Sequence, residues 1–413
     1  MEKIQVDIAI VGGGIAGLWA LNVLKARGFS VALLEKTSLG GGQTVCSQGI
    51  IHGGMKYALT GSLTKDAQEL IGVPDLWRQC LQNKDTITKD ASVAANIADG
   101  MLDLTATKIL AEGQYLFSTG SLATNISSFF ASKTLRSAVE SLPRAQYPAM
   151  LQNAAYKGQV YKLAELVLDV PSLVHNLAQL CWDNIIKVDF CSAHYAPDNN
   201  IDHLQLRING EQQMLTAQQY VFLAGSGNQE LLHAAHGGSH GDNNVPKLQL
   251  RPLHMVYVKA PGLTPLYAHC IGLSATPRIT ITTHVAHGGC PVWYLGGALA
   301  EDGVAREQEQ QIAFAQQELS QLFPWLDLTN AQWGSLRIDR AEALRVDGKK
   351  PTAATLFTYA NVNVGWPTKL AFSPLLARQI SAKITAAGTI PGGSVGGVLA
   401  EFAKPEIAKY PWD

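Results

Sequence analysis

Gly12-Gly13-Gly14-Ile15-Ala16-Gly17 carries glycines at the first, third and sixth places of the string G-x-G-x-x-G. That spacing suits chemistry in which backbone N–H groups must come close to a pyrophosphate. Gly12 permits a tight turn, Gly14 lets the main chain approach the phosphates, and Gly17 lets a helix pack against the preceding strand. The N–H groups of Ile15 and Ala16 would face the anion, together with the positive end of the helix dipole. Glu35, about twenty residues further on, can accept hydrogen bonds from ribose hydroxyls and disfavours a 2′-phosphate.

The elements around this string are those that would position it. Residues 8–11 are a short apolar run with β-branched side chains, as in a buried parallel strand. Residues 18–27 read as a helix with Leu18, Leu21 and Leu24 on one face, stopped by Gly28. Residues 30–34 read as a second strand, ending at Glu35. Strand, helix, strand and acid in this order indicate a dinucleotide site rather than a structural turn. They do not choose between FAD and NAD.

A second loop makes that choice. Residues 40–57 read Gly40-Gly41-Gly42-Gln43-Thr44-Val45-Cys46-Ser47-Gln48-Gly49-Ile50-Ile51-His52-Gly53-Gly54-Met55-Lys56-Tyr57. Such glycine density implies a backbone pressed against something flat or anionic. A simple NAD dehydrogenase has little use for it there. An extended FAD must pass this segment between its adenosine pocket and its isoalloxazine. His52 has two readings: an imidazole that polarises or deprotonates a substrate hydroxyl, or a structural histidine that shapes the loop. Cys46 is a candidate for covalent flavin attachment.

Residues 50–57 closely resemble the Ile-His-Gly-Gly-x-Arg-Tyr segment of flavin-dependent glycerol-3-phosphate dehydrogenases. A related Ile-His-Ala-Gly segment occurs in 2-hydroxyglutarate oxidases, and both groups belong to the D-amino-acid-oxidase superfamily. The resemblance implies that Thr44, Ser47 and Gln48 lie near the FAD pyrophosphate and ribityl chain, with Lys36, Gln43 and Gly49 in the same set. It places Gly53 and Gly54 near the flavin ring. Lys56 stands where the glycerol-phosphate enzymes tend to have arginine, which favours phosphate less strongly than a bidentate guanidinium does.

Further segments extend the resemblance. Residues 158–174 are similar to the point where the superfamily returns to its FAD domain, and the backbone near Val188 would pair with adenine. Residues 220–227, with Ala224 and Gly225, are similar to the Ala-x-Gly segment that closes over FAD. Residues 333–340 are similar to a Gly-Leu-Arg-Pro segment that sets an arginine over the flavin. Arg337 would then clamp a carboxylate or phosphate, with Arg340 the alternative because Ile338 replaces the proline. Gly365, Pro367, Thr368, Lys369 and Leu370 fall where the family places a loop and helix start against the flavin pyrimidine, a position where helix N–H groups stabilise negative charge.

The remaining chain supplies elements. Helix is expected over 63–82 (broken near 72–74), 127–142, 171–183, 305–322 and 370–384. Strands are expected over 102–107, 114–118, 185–190, 248–259, 278–283, 292–296 and 359–364, with a hairpin at Asn209-Gly210. On the long strand Leu253, Met255, Tyr257 and Lys259 share a face, so Tyr257 could touch substrate and Lys259 could promote reaction with oxygen. Phe129 and Phe130 read as core. His233, His236 and His240 lack the acidic or cysteine partners of a metal site and read as a solvated loop.

Composition bounds the class. With 413 residues and a formal net charge of -1, no basic excess points to nucleic acid. The six cysteines form no C-x-x-C pair, so neither a zinc nor a dithiol site is expected. No signal peptide or membrane-spanning run is seen, and a cytoplasmic protein is expected, with peripheral membrane contact left open.

The expected fold is α/β: a Rossmann-like FAD-binding domain (1–90, 151–232 and 336–413) and a mixed-sheet substrate domain (91–150 and 233–335). The expected activity is FAD-dependent oxidation of a small 2-hydroxy acid, polyol phosphate or amino acid by hydride transfer, with oxygen, a quinone or a protein as acceptor. The alternatives are a monooxygenase or a maturation enzyme acting on a partner protein.

Overall fold

The computed structural model describes residues 3–52, 72–82, 100–119, 139–233, 246–271, 276–345, 351–392 and 396–413. Two eight-stranded sheets organise it. The first runs Phe190–Tyr195, Ile201–Ile208, Glu211–Phe222, Lys3–Val11, Val31–Glu35 and Ile185–Lys187. Val362–Trp366 joins Glu211–Phe222 in parallel and carries Thr355–Tyr359 at its own edge. The strands beside the first glycine string are parallel. Lys3–Val11 is almost wholly buried, which explains its unbroken apolar run. Helix Ile15–Ala26 presents Leu18, Leu21 and Leu24, all inaccessible, to the core. It stops at Gly28, whose φ of 86° suits glycine.

The second sheet runs Gln332–Ala343, Leu248–Lys259, Pro291–Gly296, Ile279–Val285, Ala268–Cys270, Gln114–Phe117, Val160–Leu163 and Val139–Ser141. One face carries Met255, Val292 and Tyr294 into the core shared with the first unit. The other packs Val256, Val258, Trp293 and Leu295 beneath helix Gln308–Leu322. Residues 160–163 belong to this sheet, and residue 336 lies inside one of its strands. The chain therefore does not change sheets at 151 or at 336.

Several local expectations need correction. Residues 102–107 form a turn rather than a strand, because the Asp103 carboxylate accepts from the Thr105 N–H and hydroxyl; the strand is Ile109–Ala111. Residues 139–141 are strand, not the end of a helix. Residues 127–138, with Phe129 and Phe130, lie outside the described residues, as do residues 63–71, His236 and His240. Helix Val73–Gln82 begins with Pro74 in its first turn. The helix expected at 171–183 ends at Gln179, and its cap is Asp169, which accepts from Ser172 N–H. Tyr359 ends one strand and Val362 begins the next, with Ala360 at φ 45° turning the chain. The hairpin at Asn209-Gly210 forms with both residues at positive φ, as a two-residue turn requires.

Candidate active site

The first glycine string is held by close backbone contact. A Cβ on Gly12 would lie 2.6 Å from the Leu223 carbonyl, and one on Gly17 would lie 1.9 Å from the Gly12 oxygen. Helix Ile15–Ala26 begins at Gly14 with no side-chain cap hydrogen bond and no acidic residue in its first turn. Its N-terminus thus keeps its positive end for an anion, and the Thr44 hydroxyl accepts from Ile15 N–H at 3.2 Å. Gly13, between Gly12 and Gly17, is also crowded. A Cβ there would meet the Leu39 side chain at 2.7 Å and that of Glu35 at 3.0 Å, so a larger residue would have to push both aside.

Glu35 ends its strand with both carboxylate oxygens engaged. One accepts from Gly13 N–H at 2.7 Å, and the other from the Thr37 N–H and hydroxyl. The carboxylate therefore sits over the glycine turn, where a ribose would lie. Lys36 is exposed. Val188 is buried, and its N–H donates to the Glu35 carbonyl, so that N–H is not the group that would meet adenine.

Other candidate segments converge on the same turn. The Leu223–Ala224 backbone packs against Gly12. Gly225 has φ +61°, and a Cβ there would lie 3.5 Å from Gln43 Nε2. Asn228, fully buried, accepts from Ala224 N–H at 2.8 Å and donates to the Gly365 carbonyl at 3.4 Å. Trp366 Nε1 donates to the Gly225 carbonyl. Asn228 and Trp366 therefore tie the Ala224-Gly225 and Gly365 segments together, and the sequence reading gave neither a role. Thr368, at φ 62°, donates its hydroxyl to the Ala353 carbonyl. Lys369 precedes the short helix Leu370–Phe372, which leads into Ser373–Ala386 with Pro374 in its first turn. The Lys369 ammonium lies 5.5 Å from the Phe372 ring centre.

The second loop is clamped between the two sheets. Gln48 Nε2 donates to the Tyr294 carbonyl at 2.9 Å and the Thr280 carbonyl at 3.2 Å, so its side chain reaches into the second sheet rather than along the cofactor path. The Tyr294 hydroxyl donates to the Cys46 carbonyl at 2.9 Å. Gly49 (φ +69°) would place a Cβ 2.1 Å from the Leu168 oxygen. Ser47 Oγ accepts from Gly49 N–H. Burial pushes the Cys46 thiol up to about 11, so it is not activated for attachment to a flavin. His52 follows, with Nδ1 3.4 Å from Glu165 Oε2. Gly53, Gly54 and Lys56 lie outside the described residues.

Arg337 does not face this region. It pairs with His254 across the sheet, whereas Met255 and Leu336, one residue along, point toward the glycine loops. The Arg337 guanidinium donates to the Val304 and Arg306 carbonyls, both at 2.6 Å. It is a structural clamp on the outer face, not a substrate clamp. Arg337→Ala is expected to cost about 1 kcal/mol of stability, typical of lost hydrogen bonds, and to leave donor affinity unchanged. A thermal melt and the concentration dependence of flavin bleaching check both. Arg340 lies 3.5 Å from Glu301 and donates to the Arg251 carbonyl; burial, then the neighbouring Arg251 charge, lower its pKa. Tyr257 is half-buried on the inward face, against Gly334 and 5.9 Å from Trp412. Lys259 ends its strand opposite Gln332 and Val292.

The residues present fit FAD: glycines where a Cβ would collide, a helix start with no acidic residue in its first turn, a carboxylate at the end of the second strand, and a second glycine loop behind it. Residues 7–372 match the family model for FAD-dependent oxidoreductases of the DAO type. The chain belongs to this family and is an FAD-dependent oxidoreductase. It is 42% identical over 414 residues to a probable FAD-dependent oxidoreductase of Pseudomonas aeruginosa, covering 100% of this chain and 98% of that protein. The crystal structure of the Pseudomonas aeruginosa FAD-dependent oxidoreductase superposes with a TM-score of 0.80 at 38% identity, over 100% of this chain and 98% of that one. Glycine oxidase from Geobacillus kaustophilus shares the fold at TM-score 0.60 and 16% identity, covering 98% and 99% of the two chains. L-α-glycerophosphate oxidase from Mycoplasma pneumoniae, solved with FAD bound, does so at 0.60 and 13%, covering 99% and 98%. These last two show the fold alone. Among the described residues no helix is long and apolar enough to cross a membrane, and no group of metal-ligating side chains is found.

Proposed function

We propose that this protein oxidises a small donor in which a C–H bond adjoins a hydroxyl or amino group: a 2-hydroxy acid, a polyol phosphate or an amino acid. The observation that carries this reading is His52, an imidazole of the second glycine loop set against a carboxylate. Bound FAD supplies the acceptor for the donor's hydride. In this reading Gly12, Gly14, Ile15, Ala16 and Gly17 hold the pyrophosphate, and Glu35 the ribose. Gln43, Thr44 and Ser47 line its path with Gly49, Ala224 and Gly225. Gly365, Pro367, Thr368, Lys369 and Leu370 cradle the far end. His52 takes the proton from the donor's hydroxyl or ammonium group. Arg340 and Tyr257 remain candidates for orienting the donor. The first sheet with its helices forms the cofactor unit, and the second sheet the substrate unit.

Anaerobic bleaching of the flavin absorbance near ~450 nm, the signature of the cofactor that carries the redox step, tests this reading. 2-Hydroxy acids, glycerol-3-phosphate and D- and L-amino acids are the donors. Rapid bleaching by one class is the expected result and names the substrate class. No bleaching by any of them, with FAD bound, would sink the small-donor reading in favour of a monooxygenase or an enzyme acting on a partner protein.

A further inference from the structure

Glu165 falls in no motif, yet four segments of the chain meet at its carboxylate. It is 7% exposed and lies between the strands Val160–Leu163 and Val167–Leu168. Its Oε2 stands 3.4 Å from Nδ1 of His52 and 4.0 Å from Nε2 of His269. Gln114 Nε2, on a neighbouring strand and fully buried, donates to the same oxygen at 3.5 Å. The other ring nitrogen of His269 meets the Thr280 hydroxyl at 2.9 Å. The two imidazoles stack with centroids 6.4 Å apart and planes inclined by 28°.

A buried carboxylate is costly unless hydrogen-bonded and paired. Here its partners include two imidazoles and an amide, and their arrangement has a directional consequence. An Nδ1–H of His52 directed at the Glu165 carboxylate favours one tautomer, in which Nε2 carries the lone pair. A proton arriving at Nε2 then makes an imidazolium whose charge faces a carboxylate already in place. His269, anchored by Thr280, stands 4.0 Å from the same oxygen and braces it there.

We propose that Glu165 is the positioning residue for His52, setting its Nδ1–H tautomer, with His269 as the brace. The inference rests on the reading above, in which His52 accepts the donor's proton. In that step the donor's C–H and X–H bonds break, X being oxygen or nitrogen, and a C=X bond forms. The hydride goes to bound FAD, the two-electron oxidant, and the proton to His52 Nε2. Glu165 is not protonated in this scheme; it holds the ring and faces the charge that develops.

The test needs no substrate. Long-range proton–nitrogen spectra of holoenzyme labelled with [15N]histidine report which ring nitrogen carries the proton, and His52→Gln and His269→Gln assign the signals. Wild type is expected to show His52 as the Nδ1–H form. In Glu165→Gln the ratio of Nδ1–H to Nε2–H forms should fall about tenfold or more, the factor a hydrogen bond to a charged group supports. A purely structural role for Glu165 would lower the melting temperature and leave that ratio unchanged, and this outcome would overturn the proposal. Should Glu165→Gln fail to fold, Thr280→Val loosens the brace alone; a smaller fall in the same ratio supports the proposal, and an unchanged ratio refutes it. The bleaching screen reads the substrate and this spectrum reads the positioning, so either can fail without the other.

Discussion

Gly17→Ala is expected to yield a chain that folds but no longer retains FAD. The added methyl would stand 1.9 Å from the Gly12 carbonyl oxygen, and no rotamer change relieves a contact between a Cβ and a backbone atom. The helix start must move away from the strand, or the turn at Gly12 must open. Gly12 cannot yield toward the other side, because its own position is closed by the Leu223 carbonyl. Either displacement moves the N-terminus of helix Ile15–Ala26 away from the turn, and a helix N-terminus acts on a phosphate through proximity. A weakening of FAD binding by at least a hundredfold, about 2.7 kcal/mol, is expected. The fold should survive, because Leu18, Leu21 and Leu24 still bury the helix face. The measurement is the flavin-to-protein ratio of the purified variant, followed by titration with FAD. Stoichiometric retention of FAD would show that the cofactor does not depend on this close contact.

The same contact explains which parts of the site were legible. Gly12 and Gly17 could be read because a tight strand–turn–helix contact demands glycine at fixed spacing, and that demand is local. The strand Leu248–Lys259 could be read from alternation, also a local property. Arg337 was misread because its direction depends on register. It stands opposite His254, which hydrogen-bonds to the Gly303 carbonyl and the Ser335 hydroxyl on the outer face. A shift of one residue would have turned Arg337 inward, and no feature of the sequence fixes that parity. Gln48 was placed in the right loop, but its amide bonds to strands more than two hundred residues away. Glu165 and Asn228 were invisible for the same reason: each gains its meaning from neighbours brought together only by folding. The aromatic tail residues Tyr410 and Trp412 also escaped notice, although both are buried in the core.

That tail gives the second large effect, a loss of stability in mild acid. Tyr410 and Trp412 stack with ring centres 4.5 Å apart, and His284 lies 4.9 Å from each. The Tyr410 hydroxyl donates to Asp169 and accepts from Val170 N–H, so the tail joins the two units beside this histidine. His284 is 1% exposed; Nε2 meets the Thr282 hydroxyl at 3.0 Å, and Nδ1 has no hydrogen-bond partner among the described residues. Burial among aromatic rings pushes its pKa down to about 3 from 6.5. The folded state therefore keeps His284 neutral while the unfolded chain binds a proton near 6.5. Its contribution is fully present above pH 6.5 and is lost progressively as pH falls toward about 3. Each pH unit crossed costs about 1.4 kcal/mol, hence roughly 2 kcal/mol between neutrality and pH 5. Urea unfolding of wild type and His284→Gln at pH 7 and pH 5 isolates the effect, since a glutamine does not titrate and the other groups are common to both chains. The wild type should lose about 2 kcal/mol more than the variant over this interval. Equal losses would mean that His284 becomes charged within the fold, which would require water or a carboxylate to reach Nδ1 when the proton arrives.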